Sequence, residues 1–162
     1  MRLNLNSILG RPGAELPFTL EFDLPAAEAY TVQNPVHAAG VVANIAGALT
    51  LTGEAEIAMT CTCDRCISSF PLTFTLPVTA HLAEGLVDDG NPDLFAIEGG
   101  AVDLDEIFTT AFFLGLESRF LCDEGCLGLC SNCGANLNHG SCACKKEVDP
   151  RLAALQQLLD TN

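Results

Sequence analysis

The chain has 162 residues, of which 49% are hydrophobic, and its 21 acidic and 7 basic side chains give a formal net charge of -14. This length fits one domain, or one domain with a small appendage, and a mean hydropathy of +0.31 excludes wholesale disorder. No apolar run reaches the roughly 18 residues that a membrane span needs, and the charge disfavours a nonspecific nucleic-acid binder, which needs a basic face.

The N-terminal segment, MRLNLNSILGRPG, has no continuous apolar stretch before Pro12. A secretory signal requires such a stretch, so the sequence predicts a cytoplasmic protein. Nine cysteines are an odd number, which fits a complete disulfide framework poorly. Reduced thiols and metal ligation are therefore favoured over disulfide bridges.

Alternating apolar and polar residues predict β strands in the first half of the chain. Residues 18–22 alternate as in a half-buried strand. From 41 to 63 the odd positions are mostly apolar, over a stretch too long for one ordinary strand. Gly47 and Gly53 are the predicted bends or bulges that divide it into two or more strands. After Cys66 the apolar residues switch to even positions, which predicts a hairpin with cysteines near its tip.

The interval from Glu84 to Glu106 holds eight acids and no lysine or arginine. Its many glycines over 84–102 predict mostly loop with a solvated acidic face, and an acidic partner-binding surface is the alternative. Asp103 is the predicted N-cap of a helix over about 104–116, with Glu106 at the capping-box position.

Near the C-terminus, Asp149 and Pro150 predict the start of a short final helix. The patterns together predict an α+β protein, with an antiparallel β sheet or partial barrel, one main helix and a C-terminal zinc-knuckle-like appendage. We place a β-rich core domain at 1–121 and a Cys-rich metal-binding segment with the final helix at 122–162.

Six cysteines crowd into the C-terminal part of the chain. A structural zinc ion takes four thiolate or imidazole ligands in a tetrahedron, and two ligands separated by two residues on a tight turn can share one ion. Cys130 and Cys133 have this spacing, and Cys142 and Cys144 supply a second pair. These four residues are predicted to bind one zinc ion.

Two further cysteine pairs remain, Cys63 with Cys66 and Cys122 with Cys126. Since eight cysteines make two four-ligand sites, we predict a second zinc site from these pairs, and two zinc ions per chain or at least one. A single C-terminal site with other ligands, or a bridged two-zinc cluster, stays open. Cys61 is predicted to be a buried apolar residue.

Other roles for these cysteines have less support in the sequence than structural zinc. Cys63 and Cys66 form a C-x-x-C pair that suggests a thiol redox protein or sensor, but such motifs usually begin a helix in a βαβ unit. An iron–sulfur cluster also takes four thiolates. Four cysteines leave zinc no position for a catalytic water, which argues against a zinc hydrolase. No nucleophile elbow, phosphate loop or dinucleotide fingerprint is present either, so no enzyme and no small-molecule substrate are predicted. His37 and His81 are predicted to be structural or surface residues, and His139 is a conceivable ligand.

Four stretches together resemble the YceD family of bacterial and plastid proteins. They are CDRC at 63–66, LCDEGCLGLCSNCGANLN at 121–138, CAC at 142–144 and DPRLAAL at 149–155. The resemblance implies a non-enzymatic role in ribosome biogenesis, in the synthesis, processing or stability of the large-subunit (23S) ribosomal RNA. Members often have a proline after the main helix, where this chain has Gly115-Leu116-Glu117-Ser118.

The resemblance implies ribosomal RNA as a partner, and the acidity of the chain makes a basic ribosomal or RNA-processing protein at least as good a candidate. No membrane partner is predicted. Eight thiolates with two Zn²⁺ would bring the formal charge to roughly -18, which attracts basic proteins. The bases predicted to contact RNA or a partner make only a small footprint; they are Arg65, Arg119, Lys145, Lys146 and Arg151.

Overall fold

A computed structural model describes residues 1–85, 90 and 93–144. Its strands, in chain order, are β1 (Arg2–Asn4), β2 (Glu15–Phe22), β3 (Tyr30–Val32), β4 (Val36–Ile45), β5 (Ala48–Thr62), β6 (Ser69–Glu84), β7 (Leu94–Ile97) and β8 (Ala101–Asp103). One helix, α1 (Leu104–Gly115), follows β8, and a 3-10 turn spans Leu137–His139. The predicted final helix from Asp149 lies outside the described residues.

Six strands form one mixed sheet. Its order is β2-β4-β5-β6-β7, and β3 pairs with the far end of β5, beyond the end of β4. All of these pairs are antiparallel except β6–β7, which is parallel, so the prediction of an antiparallel sheet is wrong for this one pair. Strands β1 and β8 form a separate two-stranded sheet. Within the described ranges, the edge strands β2 and β7 do not pair with each other.

At the turn between β4 and β5 the buried positions change from even-numbered to odd-numbered residues. Ala46 and Gly47, with φ of 53° and 96°, form the two-residue loop between the paired residues Ile45 and Ala48. Positive φ at both central residues defines a type I′ hairpin turn. In β4 the even positions are buried, such as Val42 at 0% exposure, so the predicted odd-numbered face is wrong before Gly47. Valine and alanine at both parities there conceal the correct face.

Gly53 is not a bend, contrary to the prediction, because β5 continues without a break from Ala48 to Thr62. It lies opposite Gly40 in β4. A Cβ atom on Gly40 would lie 2.7 Å from both the Gly53 Cα and the Phe18 Cζ. The two glycines therefore allow a close backbone approach beneath the aromatic core, which is the other common reason for glycine within a strand.

Two short strands correct the prediction that 84–102 is mostly loop. β7 pairs with β6 through the register His81↔Leu94, and β8 pairs with β1 through Leu3↔Val102. Each strand is stabilised by pairing, β7 with the preceding strand and β8 with a strand near the N-terminus, and local glycine content does not reveal such pairing.

Helix α1 covers the apolar face of the sheet. Asp103 is its N-cap residue, as predicted, and its side chain accepts a hydrogen bond from the Asp105 backbone N–H at 3.0 Å. The Phe108 ring packs 6.0 Å from that of Phe18, and the Phe112 ring 5.8 Å from that of Tyr30. Burial of each such side chain contributes about 1.5–3 kcal/mol. No helix in the described ranges is long and apolar enough to span a bilayer.

Candidate metal centre

The β5–β6 hairpin ends in a turn at 63–68, which we call the hairpin tip. The tip supplies Cys63 and Cys66, and the segment after α1 supplies Cys122 and Cys126. Their four Sγ atoms lie within 4.8 Å of one another. This group is the first tetrad, and three of its members are buried.

The sulfur spacing in the first tetrad fits a single four-coordinate ion. The Sγ atoms of Cys63 and Cys126 are 3.9 Å apart, and those of Cys66 and Cys122 are 3.6 Å apart. A tetrahedron with zinc–sulfur bonds of about 2.3 Å has sulfur–sulfur edges of about 3.8 Å, whereas a disulfide bond is about 2.05 Å long. All nine cysteines are free thiols.

Two neighbouring side chains hold the hairpin tip against the segment after α1. The Asp64 carboxylate accepts a hydrogen bond from the Phe120 N–H at 2.8 Å, and the Asp64 N–H donates to the Phe120 carbonyl at 2.9 Å. The Arg65 guanidinium donates to the carbonyls of Glu124 at 3.2 Å and Cys126 at 2.9 Å. The guanidinium of Arg65, which the sequence predicted to contact RNA or a partner, is thus engaged in hydrogen bonds within the chain.

The backbones also pack closely where the hairpin tip meets the segment after α1, which we call the junction. The Leu129 N–H donates to the Arg65 carbonyl at 3.1 Å. Gly128 has φ of 74°, and a Cβ atom there would lie 3.0 Å from the Arg65 carbonyl oxygen. Both the backbone conformation and the available space therefore favour glycine at 128.

The second tetrad consists of Cys130, Cys133, Cys142 and Cys144, whose Sγ atoms also lie within 4.8 Å of one another. The Cys130 N–H donates to the Ala135 carbonyl, and the Gly134 N–H donates back to the Cys130 carbonyl, both at 2.8 Å. Gly134 has φ of 73°, as a tight turn of the knuckle type requires. Cys133 and Cys144 are exposed, so this tetrad is more accessible than the first.

Each tetrad contains one strongly acidified thiol. Backbone N–H groups, first that of Cys122, lower the pKa of Cys63 to about 6. Those of Asn132 and Cys133 lower the pKa of Cys130 to about 6. Hydrogen bonds to the charged form stabilise a thiolate.

Each tetrad also contains a thiol that resists ionisation. The hydrogen bond with Cys66 raises the pKa of Cys122 to about 12, and that with Cys133 raises the pKa of Cys144 to about 12. Four adjacent sulfurs cannot all carry negative charge by themselves. A bound divalent cation would remove this repulsion and deprotonate the remaining thiols.

Two asparagines at the end of the 121–138 stretch, to which the sequence assigned no role, contact this region. The Asn138 side-chain N–H donates to the Cys126 Sγ at 3.2 Å, and Asn136 caps the 3-10 turn. They lie between Cys133 and Cys142 in sequence. They belong to the stretch that resembles the YceD family, but asparagine is common in turns, so the sequence does not indicate which groups these two side chains contact.

The other predicted residues either belong to neither tetrad or lie outside the described residues. Arg119 is exposed, whereas Lys145, Lys146 and Arg151 lie outside the described residues. Cys61 is 0% exposed within the core, and burial raises its pKa.

The three histidines belong to neither tetrad. His37 lies at the surface, with its Nδ1 3.3 Å from the Glu21 carboxylate. The His81 Nδ1 lies 3.4 Å from the Thr50 hydroxyl. His139 is exposed at the end of the 3-10 turn.

The fold and the thiols define a class of protein, namely a helix-covered β sheet with two cysteine tetrads that could each hold a metal ion. The chain belongs to the family described as large ribosomal RNA subunit accumulation protein YceD. The family model matches residues 51–159, about two thirds of the chain. No curated protein and no solved structure matches the chain. The family description indicates a role in the accumulation of large-subunit ribosomal RNA, and it names no enzymatic activity.

Proposed function

We propose that this chain supports accumulation of the large-subunit (23S) ribosomal RNA as a cytoplasmic, zinc-stabilised binding or adaptor protein without catalytic activity. The observation that carries the proposal is the pair of four-cysteine centres in a member of the YceD family. Centres made of four thiolates stabilise a structure and leave no open coordination position for substrate.

Zinc is the proposed metal, with one ion in each tetrad. Thiolate ligands select zinc, copper(I) or iron. An iron–sulfur cluster distributes its cysteines over two or more irons, whereas four sulfurs within 4.8 Å of one another suit a single ion. Cys63, Cys66, Cys122 and Cys126 would hold one ion, and Cys130, Cys133, Cys142 and Cys144 would hold the other.

We also propose a division into a core at 1–121 and a segment at 122–162 whose folding depends on metal. Within the described part of the segment, 122–144, regular structure is limited to one 3-10 turn. The buried cluster at the junction consists of Cys63, Cys66 and Cys126, with partly buried neighbours around it. So small an apolar cluster contributes little, and metal binding would supply most of the folding free energy of the segment.

A basic protein is favoured over RNA as the direct partner. Two of the four bases in the described ranges already bind carbonyl oxygens, Arg2 that of Glu98 and Arg65 those of Glu124 and Cys126. The solvent face of the sheet instead exposes carboxylates, at Glu21, Glu54 and Glu56. Such a face attracts lysine and arginine and repels phosphate. Arg119 and the bases at 145, 146 and 151 remain candidates for a small RNA contact.

One observation favours the alternative function, a thiol redox protein or sensor: a Cys63 pKa of about 6 is typical of reactive cysteines. However, Cys63 is 0% exposed and Cys66 is 4% exposed, and a redox thiol must reach its substrate. Metal analysis with thiol-reactivity assays on freshly purified protein separates the two functions. Two zinc ions per chain and thiols that react slowly support the structural role. Metal-free protein with one rapidly reacting thiol supports the redox role.

Depletion followed by complementation tests the main proposal. Cells that lack the protein should lose mature large-subunit ribosomal RNA, and the unsubstituted gene should restore it. A Cys130→Ser, Cys133→Ser variant should fail to restore it, whereas the matched loop variant Ser141→Ala should succeed. Unchanged precursor and mature RNA levels after depletion would reject the proposal, and full rescue by the double serine variant would reject the need for the second tetrad.

A further inference from the structure

The loop of the second tetrad contributes a hydrogen-bond donor to the first tetrad. Asn138 lies between Cys133 and Cys142, two members of the second tetrad, yet its side-chain amide nitrogen is 3.2 Å from the Sγ of Cys126 in the first. This is the contact of a metal-supporting residue, since N–H donors to a ligand sulfur orient it and stabilise its negative charge.

The Asn138 side chain is fixed by further hydrogen bonds. Its Oδ1 accepts from the Leu127 N–H at 2.8 Å, and its Nδ2 also contacts the Asn136 Oδ1 at 2.9 Å. The Asn136 Oδ1 accepts as well from the Asn138 backbone N–H at 3.0 Å. The amide is therefore oriented from both ends, and its nitrogen is directed at the sulfur.

The same turn also contacts the hairpin tip. The Asn136 Nδ2 donates to the Ser68 hydroxyl at 3.3 Å, and the Leu137 N–H donates to the Gly128 carbonyl at 2.9 Å. Residues 136–138 thus lie against both chain segments that supply the first tetrad. Leu129 and Asn136 also form an isolated β-bridge within the segment after α1, which holds the 136–138 turn close to Leu129.

We propose that Asn138 is a positioning residue that couples the two centres, so that metal in the second tetrad strengthens metal binding in the first. The inference rests on the proposed zinc occupancy. Zinc in the second tetrad would close the loop between Cys133 and Cys142 and hold the 136–138 turn in place. The amide would then reach Cys126 without an ordering cost at the time of binding. Coupling of this kind is reciprocal, so metal in the first tetrad also strengthens binding in the second.

Asn138→Asp removes the donor to Cys126, together with the hydrogen bond from the same nitrogen to Asn136. Aspartate keeps the oxygen that accepts from the Leu127 N–H but lacks the N–H donor to Cys126. In zinc-loaded full-length chain, we expect release of the first zinc to a chromophoric chelator to accelerate about ten- to hundredfold, the usual effect of losing such a partner. Alkylation and mass spectrometry assign the release, because Cys126 reports on the first centre and Cys130 on the second. Ser141→Ala, in the same loop, should behave as the unsubstituted chain.

Removing the second metal tests the coupling itself. Cys133→Ser should accelerate release from the first centre by a factor similar to that of Asn138→Asp. The two changes together should add little more, because they disable the same route. Unchanged release in Asn138→Asp, or independent multiplication of the two effects, would overturn the coupling while leaving the proposed function intact. Failure of the unsubstituted chain to take up zinc would instead overturn the zinc assignment and the coupling with it.

Discussion

Asp64 and Phe120 form two hydrogen bonds with each other, although they are 56 positions apart in the sequence. The Asp64 carboxylate accepts from the Phe120 N–H at 2.8 Å, and the Asp64 N–H donates to the Phe120 carbonyl at 2.9 Å. Cys63 and Cys66 flank Asp64 in the hairpin tip, and Cys122 follows Phe120 by two residues. This pairing therefore sets the position at which the segment after α1 enters the first tetrad.

Asp64→Ala should destabilise the zinc-loaded protein by about 1–2 kcal/mol, because the Phe120 N–H loses its acceptor in a partly buried position. Asp64→Asn is the matched control, since it retains an acceptor oxygen and should stay close to the unsubstituted chain. Chemical denaturation measures both variants. Equal stability of the alanine and asparagine variants would contradict a role for the side-chain acceptor.

Removal of metal should unfold residues 122–144 before the β core. A strong chelator, or Cys130→Ser for the second tetrad alone, removes the binding free energy that we propose stabilises this segment. Hydrogen exchange read by mass spectrometry should show lost protection over 122–144, while β5 and β6 remain protected. Uniform protection of the segment after complete metal removal would contradict the prediction. Cys61→Ala is the control, since Cys61 lies in neither tetrad.

The pKa values predict how zinc affinity changes with pH. Cys122 and Cys144, with a pKa of about 12 in the metal-free chain, must each lose a proton on binding. Zinc affinity of each centre should therefore rise about tenfold per pH unit for that proton alone across the neutral range.

Below pH 6 the dependence should steepen. Cys63 and Cys130, with a pKa of about 6, then become protonated as well and also compete with the metal. Competition titrations with a chelator of known affinity at several pH values measure the slope. Affinity that is independent of pH between 5 and 8 (roughly the range of ordinary zinc–thiolate competition) would exclude thiolate ligation.

Ile67 adopts an unfavourable backbone conformation at the hairpin tip. It has φ of 60°, and its side chain is 68% exposed. A β-branched residue rarely adopts a positive φ, whereas asparagine tolerates it. Ile67→Asn should therefore stabilise the protein by about 1 kcal/mol, as measured by denaturant unfolding.

Ile45→Asn is the matched control, because Ile45 is similarly exposed, at 64%, but lies at the end of a strand. It should give no gain in stability. A loss of stability in Ile67→Asn would show that the isoleucine side chain makes a stabilising contact that outweighs its backbone strain.

Local patterns predicted much of the architecture. The alternation in β2, the hairpin ending at the cysteines and the Asp103 cap each depend on neighbours within a few residues, so the sequence displays them directly. Strand β8 was missed because its hydrogen-bond partner, β1, lies at the N-terminal end of the described chain. Strand β7 was missed because it is only four residues long and pairs in parallel with β6, a pairing that a pattern of turn residues does not indicate. The buried face of β4 was predicted wrongly because its apolar residues occupy both parities.

The sequence by itself determined which residues can serve as metal ligands. They are cysteine pairs at short spacings, where local turn geometry brings two sulfurs together without help from the rest of the fold. Only the tertiary structure decided which pairs meet, because Cys63 and Cys126 come within 3.9 Å through the register of a long hairpin and the exit of α1. It also decided that Asn138 contacts Cys126. A hydrogen bond between the loop of one tetrad and a sulfur of the other depends on how two segments pack, and residue spacing carries no information about that packing.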